Sequence, residues 1–364
     1  MQISFVIPTR NRSHELCYTL EQLQRLHLDE LGGASELVIV DNGSDIPMDM
    51  PRSLENGLAI SQVMLGENHG AGARNVGAEH ARGEWIIMLD DDSNLRSGRI
   101  GQYLSQVDPK IGAVGGEIFL PDGSHEAGGL PEVVVGCGCA IRRDAFLEVG
   151  GYDANFGYYA EEYDLCAKLI ARGYQICHTR AFVFEHRKSS SGRDMNAILY
   201  RLVRNNGWVI QRYAPDALLA DALAEMKSRY EQIAIKEQAA AGYRHGLEEL
   251  GQTIGDQKRD PLDADAWDRF VGKAAMRSML EPRLHQHALG NVMLVGPMRG
   301  KGLEHIQALI GDCGVRIVEV GGNVEGLQVI GTLSPGPMLD AMLSFPEAIC
   351  PWMIEDLIAI GSQE

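Results

Sequence analysis

Short apolar runs alternate with amphipathic stretches through the first half of the chain. The apolar runs span residues 3–7, 36–40, 59–64 and 85–89, with helical patterns at 12–26 and 72–81. Apolar runs of this length, separated by helical patterns, are typical of βαβ units. The pattern therefore predicts an α/β fold with a mostly parallel sheet.

Polar residues follow three of these runs, at the points where the predicted strands end. They are Pro8-Thr9-Arg10, Asp41-Asn42-Gly43 and Asp90-Asp91-Asp92. Ligands of such sheets bind at the carboxyl ends of the strands. We therefore expect the three clusters to converge on one edge of the sheet.

The remainder of the chain changes character twice. After a Gly-rich, β-rich stretch at 133–151, a helix is predicted at about 162–172 and a strand near 181–184. Residues 194–254 have the composition of long helices, and 291–320 follow a strand-helix-strand pattern. These shifts predict an α/β domain at 1–195, a helical region at 196–285 and a small α/β unit at 286–364.

Composition narrows the class of protein. The formal net charge of −17 argues against a nucleic-acid binder. Seven cysteines without framework spacing favour a reducing compartment, and Gly136-Cys137-Gly138-Cys139 is interpreted as packing cysteines. The chain begins with a strand pattern that no basic stretch precedes, and no apolar run approaches the ~18 residues of a membrane span. We therefore expect a cytoplasmic protein.

The acid triplet Asp90-Asp91-Asp92 is the strongest chemical signal. Adjacent carboxylates repel one another, and Mg²⁺ or Mn²⁺ bound between them and substrate phosphates would remove that cost. A solvated acidic turn explains the triplet alone equally well. Residues 68–77 are Gly-rich and open a helix, which suits an anion but also a plain tight turn. Asp41 likewise fits a simple Asx turn.

Five motifs occur in a fixed order along the first half of the chain. They are Val6-Ile7-Pro8-Thr9-Arg10-Asn11-Arg12, Val40-Asp41-Asn42-Gly43-Ser44, Gly72-Ala73-Arg74-Asn75-Val76-Gly77, Leu89-Asp90-Asp91-Asp92 and Glu161-Glu162-Tyr163-Asp164-Leu165. In this order and spacing they resemble glycosyltransferase family 2, over about residues 1–190. The resemblance implies an inverting enzyme whose domain at 1–195 has the GT-A fold, a mixed, mostly parallel sheet flanked by helices.

The resemblance also implies a role for each matching residue. The donor nucleotide and sugar would contact Pro8, Thr9, Arg12, Asp41, Asn68, Arg74, Asn75, Asp90 and Asp91. Asp41 would meet the base, and Asp92 would ligate Mg²⁺ or Mn²⁺ together with His186. Glu162 would be the general base, with Glu161 as its rival, because Glu161-Glu162 replaces the family's more frequent Glu-Asp pair.

The expected reaction is transfer of a sugar from a nucleoside diphosphate to an acceptor hydroxyl by a single displacement. The acceptor would be a saccharide, a lipid-linked compound or a small molecule. Two alternatives stay open: a sugar nucleotidyltransferase, and a non-catalytic module that binds sugar nucleotides. A nucleotidyltransferase more usually has a Gly-rich basic loop after its first strand, where this chain has Pro8-Thr9-Arg10-Asn11.

Other basic and Gly-rich segments allow two interpretations each. Arg187, Lys188 and Arg193 lie on a Ser-rich stretch that either closes over the diphosphate or is solvated. The helical region carries Arg201, Arg204, Arg212, Trp208 and Tyr213, which either meet the inner face of a membrane or pack on the catalytic domain. The glycines at 296, 300 and 302 do not match a dinucleotide-binding fingerprint. We therefore expect the last unit to be a structural or homo-oligomerisation module that is separable from catalysis.

Overall fold

The computed structural model describes residues 2–188, 194–286, 290–297, 300–319 and 326–354. Arg193 lies outside these ranges. The strands are β1 Ile3–Thr9, β2 Ser35–Asp41, β3 Ala59–Met64, β4 Trp85–Met88, β5 Ser93–Gly98, β6 Ile111–Phe119, β7 Cys139–Arg142, β8 Gln175–His186, β9 Asn291–Val295, β10 Arg316–Val318 and β11 Leu327–Ile330. The α-helices are α1 Ser13–Gln24, α2 Ala73–His80, α3 Ile100–Leu104, α4 Arg143–Glu148, α5 Glu161–Ala171, α6 Met195–Tyr213, α7 Leu219–Lys236, α8 Ala240–Thr253, α9 Ala264–Phe270, α10 Lys273–Gln286, α11 Leu303–Asp312 and α12 Pro335–Ser344.

Eight strands form one mixed sheet in the order β3-β2-β1-β4-β7-β6-β8-β5. The pairs β3-β2, β2-β1, β1-β4 and β6-β8 are parallel, and the other three are antiparallel. β1 and β4 are buried along their whole length, since helices cover both faces of the sheet. The predicted mixed, mostly parallel sheet flanked by helices is confirmed.

The helices lie close to the sheet because small residues stand at the contacts. A Cβ on Gly77 of α2 would lie 2.4 Å from Val6 Cγ1 and 3.1 Å from Val40 Cγ2. On the other face, α1 buries Leu16, Leu20 and Leu23 against the sheet. The close approach of α2 holds the loop before it beside the carboxyl ends of β1 and β2.

The helical region and the C-terminal residues pack on the same core as the sheet domain. The buried cluster that contains Val6 also contains Trp208, Trp267, Ile310 and Trp352. The second sheet, β10-β9-β11, is fully parallel and adds Val292 to that cluster. The unit boundaries at 195 and 285 stay predictions, but a C-terminal unit that is separable from the rest is not what the packing shows. None of the helices in the described ranges is long and apolar enough to cross a membrane.

A buried histidine links the C-terminal helix α12 to the sheet domain. His125 Nδ1 lies 2.6 Å from Asp340 Oδ1, and His125 Nε2 lies 2.8 Å from Glu117 Oε1. Burial alone would lower the pKa of His125, but the hydrogen bonds to Glu117 and Asp340 raise it above its ordinary value. The ring therefore joins two carboxylates on separate parts of the chain.

Asp340→Asn should destabilise the fold by roughly 1 kcal/mol, since it removes a half-exposed charged partner of His125. Because the folded-state pKa of His125 is raised, this contribution is complete below the ordinary histidine pKa and is lost as the pH rises through the raised value. The loss of unfolding temperature should therefore be larger at pH 5.5 than well above the raised pKa. An equal loss of unfolding temperature at pH 5.5 and well above the raised pKa would show that the ring is neutral in the folded protein.

Candidate active site

A cleft of about 760 Å³ lies at the carboxyl ends of β1 and β4. Pro8 and Thr9 line it from the end of β1, Arg12 lines it from the loop after β1, and Asn42 lines it from the loop after β2. The acid triplet enters it from the end of β4, and Glu161 and Glu162 enter from the start of α5. The structure thus brings most of the residues named from the motifs to one place.

Arg12 neutralises two members of the acid triplet. Its guanidinium lies 2.6 Å from Asp91 Oδ1 and 2.6 Å from Asp92 Oδ2. Thr9 Oγ1 donates to Asp91 Oδ2 at 2.9 Å. Burial raises the pKa of Asp91 to about 7, although the nearby Arg12 charge lowers it. Both carboxylate oxygens of Asp91 are therefore held by protein partners.

The first acid of the triplet has a different partner. The buried guanidinium of Arg74, at the start of α2, pairs with Asp90. Burial alone would lower the pKa of Arg74, but the charges of Asp90 and its neighbours raise it. Arg74 Nε has no hydrogen-bond partner among the described residues. The pair fixes Asp90 at the cleft wall, one third exposed.

His186, at the end of β8, connects the acid triplet to a fourth acid, Glu126. Its Nε2 lies 3.4 Å from Asp92 Oδ1, and its Nδ1 lies 2.8 Å from Glu126 Oε2. Lys188 Nζ donates to Glu126 Oε1 at 2.6 Å. Burial alone would lower the pKa of His186, but its hydrogen bonds to Asp92, Cys137 and Glu126 raise it to about 12. Burial alone would raise the pKa of Asp92, but its contacts with His186 and Arg12 hold that pKa well below its usual range.

The residues around His186 are suited to a divalent cation. One ligand atom each from Asp90, Cys137 and His186 lie within 4.8 Å of one another. Carboxylate and imidazole are ligands that Mn²⁺ accepts in proteins, and carboxylate suits Mg²⁺. Sequence analysis interpreted Cys137 as a packing residue, but its thiol lies 3.4 Å from His186 Nδ1 at the cleft wall. Glu126 was also missed, since it lies in a short hairpin after β6 that carries no motif.

Strained backbone positions the glutamate pair. Tyr159 and Ala160, directly before α5, have φ values of 75° and 66°. Residues other than glycine adopt such values rarely, and mostly where function fixes the backbone. Gly136 N donates to Glu162 Oε1 at 3.2 Å, while Glu161 Oε2 has no partner in the described residues. Burial raises the pKa of both carboxyls, that of Glu161 to well above its ordinary value.

Comparison with known proteins gives the class of enzyme. Residues 4–124 match the model of the family described as "Glycosyl transferase family 2". The chain is 26% identical to an uncharacterized glycosyltransferase, YwdF, of Bacillus subtilis, over 54% of this chain and 80% of that protein. It is 27% identical to a glucosyl-dolichyl phosphate glucuronosyltransferase of Haloferax volcanii, over 55% of this chain and 74% of that protein. The chain is a glycosyltransferase, and its residues 4–124 are similar to family 2.

Two solved structures are similar over much of the glycosyltransferase chain. One is S. aureus TarS 1-349 in complex with UDP-GlcNAc, at 16% identity and a TM-score of 0.49, over 70% of this chain and 82% of that one. The other is the mannosyltransferase PcManGT of Pyrobaculum calidifontis in complex with GDP-Man and Mn²⁺, at 16% identity and a TM-score of 0.45, over 86% and 85%.

Three residues named from the motifs lie outside the cleft lining of the glycosyltransferase and have structural partners. Asp41 Oδ1 accepts from Ser44 N at 2.7 Å, which is the Asx turn that the sequence left open. The amide of Asn75 bonds both backbone groups of Tyr152, and Asn68 Oδ1 accepts from Asn42 Nδ2 and Gly70 N. These contacts fix the loops that carry the cleft residues, so a direct contact of Asn68 or Asn75 with the donor stays a prediction.

The C-terminal part of the glycosyltransferase contributes to the cleft, contrary to the expected separation. Lys301, in the loop between β9 and α11, lines it beside Tyr163, Asn206 and Tyr230. Lys301 bonds the hydroxyl of Tyr163, 138 residues away in sequence. The basic residues of α6 mostly pack inward as the second interpretation expected: Arg204 pairs with Glu249, and Arg212 pairs with Asp153 and Asp164.

Proposed function

We propose that this protein is a metal-dependent, inverting glycosyltransferase that moves a sugar from a nucleoside diphosphate to an acceptor hydroxyl. The observation that carries the proposal is one cleft lined by two chemically different sets of side chains. One set is Asp90, Asp92 and His186, and the other is Glu161 and Glu162. A donor whose diphosphate binds at the first set would have its sugar in the same cleft as the second.

Asp90, Asp92 and His186 are suited to a metal-bound diphosphate. Asp92 and His186 would hold Mg²⁺ or Mn²⁺, and Asp90 is a second acid within reach. The bound cation would neutralise the charge that develops on the departing diphosphate. Arg12 and Lys188 also line the cleft and supply further positive charge. Pro8 and Thr9 would bind the nucleotide from the end of β1, and Arg74 would hold Asp90 towards the ribose or sugar.

Glu161 and Glu162 are suited to activating the acceptor. Glu162 would take the proton from the acceptor hydroxyl as its oxygen bonds to the anomeric carbon and the bond from that carbon to the diphosphate breaks. A single displacement of this kind inverts the anomeric configuration. Burial raises the pKa of Glu162, which makes the carboxylate a better base than an exposed glutamate. Gly136 N orients the carboxylate through Oε1.

The function is tested by following donor turnover with a panel of sugar nucleotides. The protein is incubated with Mn²⁺ or Mg²⁺ and each donor, and release of nucleoside diphosphate and free sugar is measured with and without acceptors. Nucleoside diphosphate release that needs the metal supports the proposal. Release of pyrophosphate from sugar phosphate and nucleoside triphosphate would indicate a nucleotidyltransferase, and no turnover with any donor would contradict the proposal.

Asp41→Asn should weaken nucleoside diphosphate binding by ~10–100-fold, the usual value of a charged hydrogen bond, if Asp41 meets the base. The asparagine oxygen can still accept from Ser44 N, so the turn and the unfolding temperature should be preserved. Calorimetric titration of the nucleotide measures the first effect, and thermal unfolding measures the second. Asp41→Ala removes both contacts and serves as the comparison. Parent-like nucleotide affinity in Asp41→Asn would show that the Asp41 carboxylate stabilises the turn and does not contact the base.

A further inference from the structure

A side pocket of about 200 Å³ adjoins the cleft. It lies between α6, α7, α9 and the loop before α11. Tyr163, Asn206, Tyr230 and Lys301 line both the side pocket and the cleft. The charge of Glu162 acts on Lys301, so an occupant of the side pocket that contacts Lys301 lies near the proposed base.

Aromatic rings form the inner wall of the side pocket. Tyr163 packs edge-on against Phe270 with ring centroids 6.3 Å apart, and Trp267 packs on Phe270 at 5.6 Å. Tyr230 covers the mouth. Flat apolar surfaces of this kind bind the C–H faces of sugar rings and other apolar groups. The aromatic wall provides contact area for a bound group but does not distinguish a charged group from a neutral one.

Two basic side chains, Lys301 and Arg229, line the side pocket. Lys301 Nζ lies 4.7 Å from the centre of the Tyr163 ring and bonds the Tyr163 hydroxyl. In the described part of the chain, neither Lys301 nor Arg229 makes a direct ion pair, although the charge of Glu162 acts on Lys301 and the charge of Arg229 acts on Glu225. Glu225 lies one turn before Arg229 on α7 and is 4.0 Å from His305. Burial and the neighbouring charge of Arg229 lower the pKa of Lys301 to about 7.

The protein holds Lys301 in place although burial and the charge of Arg229 disfavour a charged amine there. Leu333 N donates to the Lys301 carbonyl at 2.8 Å. The next residue, Gly302, has a φ of 77°, and a Cβ there would lie 2.5 Å from Leu333 Cδ1. The loop therefore cannot easily turn the amine away from the cleft. An anion between Lys301 and Arg229 would relieve their repulsion and pair both charges.

We infer that the side pocket is the acceptor subsite, and that it takes a sugar acceptor carrying an anionic group, phosphate or carboxylate, held by Lys301 and Arg229. This inference rests on the proposed function, since it assigns the acceptor for the same base. The acceptor hydroxyl lies at Glu162, its anionic group at the two cations, and its ring on the aromatic wall. The C-terminal loop thereby completes the acceptor half of the site.

The test uses matched sets of hexose, hexuronate and hexose 6-phosphate in the gluco, galacto and manno series. Each sugar is titrated calorimetrically into the full-length protein with Mn²⁺ and a nucleoside diphosphate present. We expect at least one anionic sugar to bind ~10–100-fold more tightly than its neutral counterpart, the range of a charged hydrogen bond. The hexuronate and phosphate arms distinguish the two sources of charge.

Variants assign the preference to the two cations. Lys301→Met and Arg229→Met should each remove most of the preference, and Lys301→Arg should restore part of it. Lys227→Met makes the same charge change on an exposed position of α7, and the preference should survive it. Having two separate variants keeps the test decisive if one of them fails to fold.

Two kinds of failure are distinguishable. If no anionic sugar binds more tightly than its neutral counterpart, or if the preference survives both Lys301→Met and Arg229→Met, the inference is overturned while donor turnover still supports the proposed function. If the parent protein turns over no sugar nucleotide, the proposed function fails and the acceptor assignment fails with it.

Discussion

Glu162→Gln should bind donor and metal as the parent does and transfer sugar ~10²–10⁴-fold more slowly, the usual contribution of a positioned general base. The amide keeps the size of the side chain, and its oxygen can still accept from Gly136 N. It cannot take a proton from the acceptor. Single-turnover measurement of sugar transfer isolates this step, and nucleotide titration checks that donor binding is unchanged.

The neighbouring glutamate is the matched control. Glu161→Gln makes the same change one residue away and should reduce transfer less, because Glu161 is more deeply buried and burial favours the neutral form of its carboxyl. Parent-like transfer by Glu162→Gln together with an inactive Glu161→Gln would reverse the two roles.

The pH profile gives a second measurement of the same assignment. The base acts in its charged form, and burial raises the pKa of Glu162. Transfer should therefore fall, as the pH is lowered, at a higher pH than the ordinary glutamate pKa of ~4.3 predicts. In Glu162→Gln the residual rate should lose this acid limb. An acid limb that remains in the variant would belong to another group.

The parts of the fold that sequence predicts well are strands buried on both faces. β1, β2 and β4 are mainly apolar because nearly all of their residues are buried, and their bounds were predicted within two residues. The sequence analysis did not predict β5 and β6, for two different reasons. β5 is polar and carries an irregular register between Leu95 and Ser97, while β6 has three glycines among its nine residues. Neither pattern has the alternation that marks a strand.

The candidate site divides in the same way. Sequence motifs predict the cleft residues that directly follow a buried strand or open a helix. Arg12, Asp92 and Glu162 are examples, and all three line the cleft. Cys137 and Glu126 come from turns between antiparallel strands, and their approach to His186 depends on strand pairing. Lys301 reaches the cleft only because the C-terminal residues share the main core. Contacts of this kind are set by tertiary packing and leave no local signal.

Asp92→Asn should weaken metal-dependent binding of nucleoside diphosphate by at least ~10²-fold, since losing even an outer-shell partner costs a metal site ~10–100-fold. The carboxylate lies 3.4 Å from His186 and 2.6 Å from Arg12. A cation that binds Asp92 must therefore displace one of these partners, and exchange of His186 from hydrogen bonding to ligation is the simpler change. Titration of Mn²⁺ in the presence of nucleoside diphosphate measures the loss.

Two further variants separate ligation from general loss of charge. Asp108→Asn removes one charge from an exposed position outside the cleft and should leave Mn²⁺ affinity unchanged. Asp90→Asn tests the other acid, since Asp90 rather than Asp92 forms the tight cluster with Cys137 and His186. Asp90 is paired with buried Arg74, and a cation at Asp90 would compete with that pair. If Asp90→Asn abolishes Mn²⁺ binding while Asp92→Asn keeps it, the metal lies on the Arg74 side of His186 and Asp92 serves only to pair with Arg12.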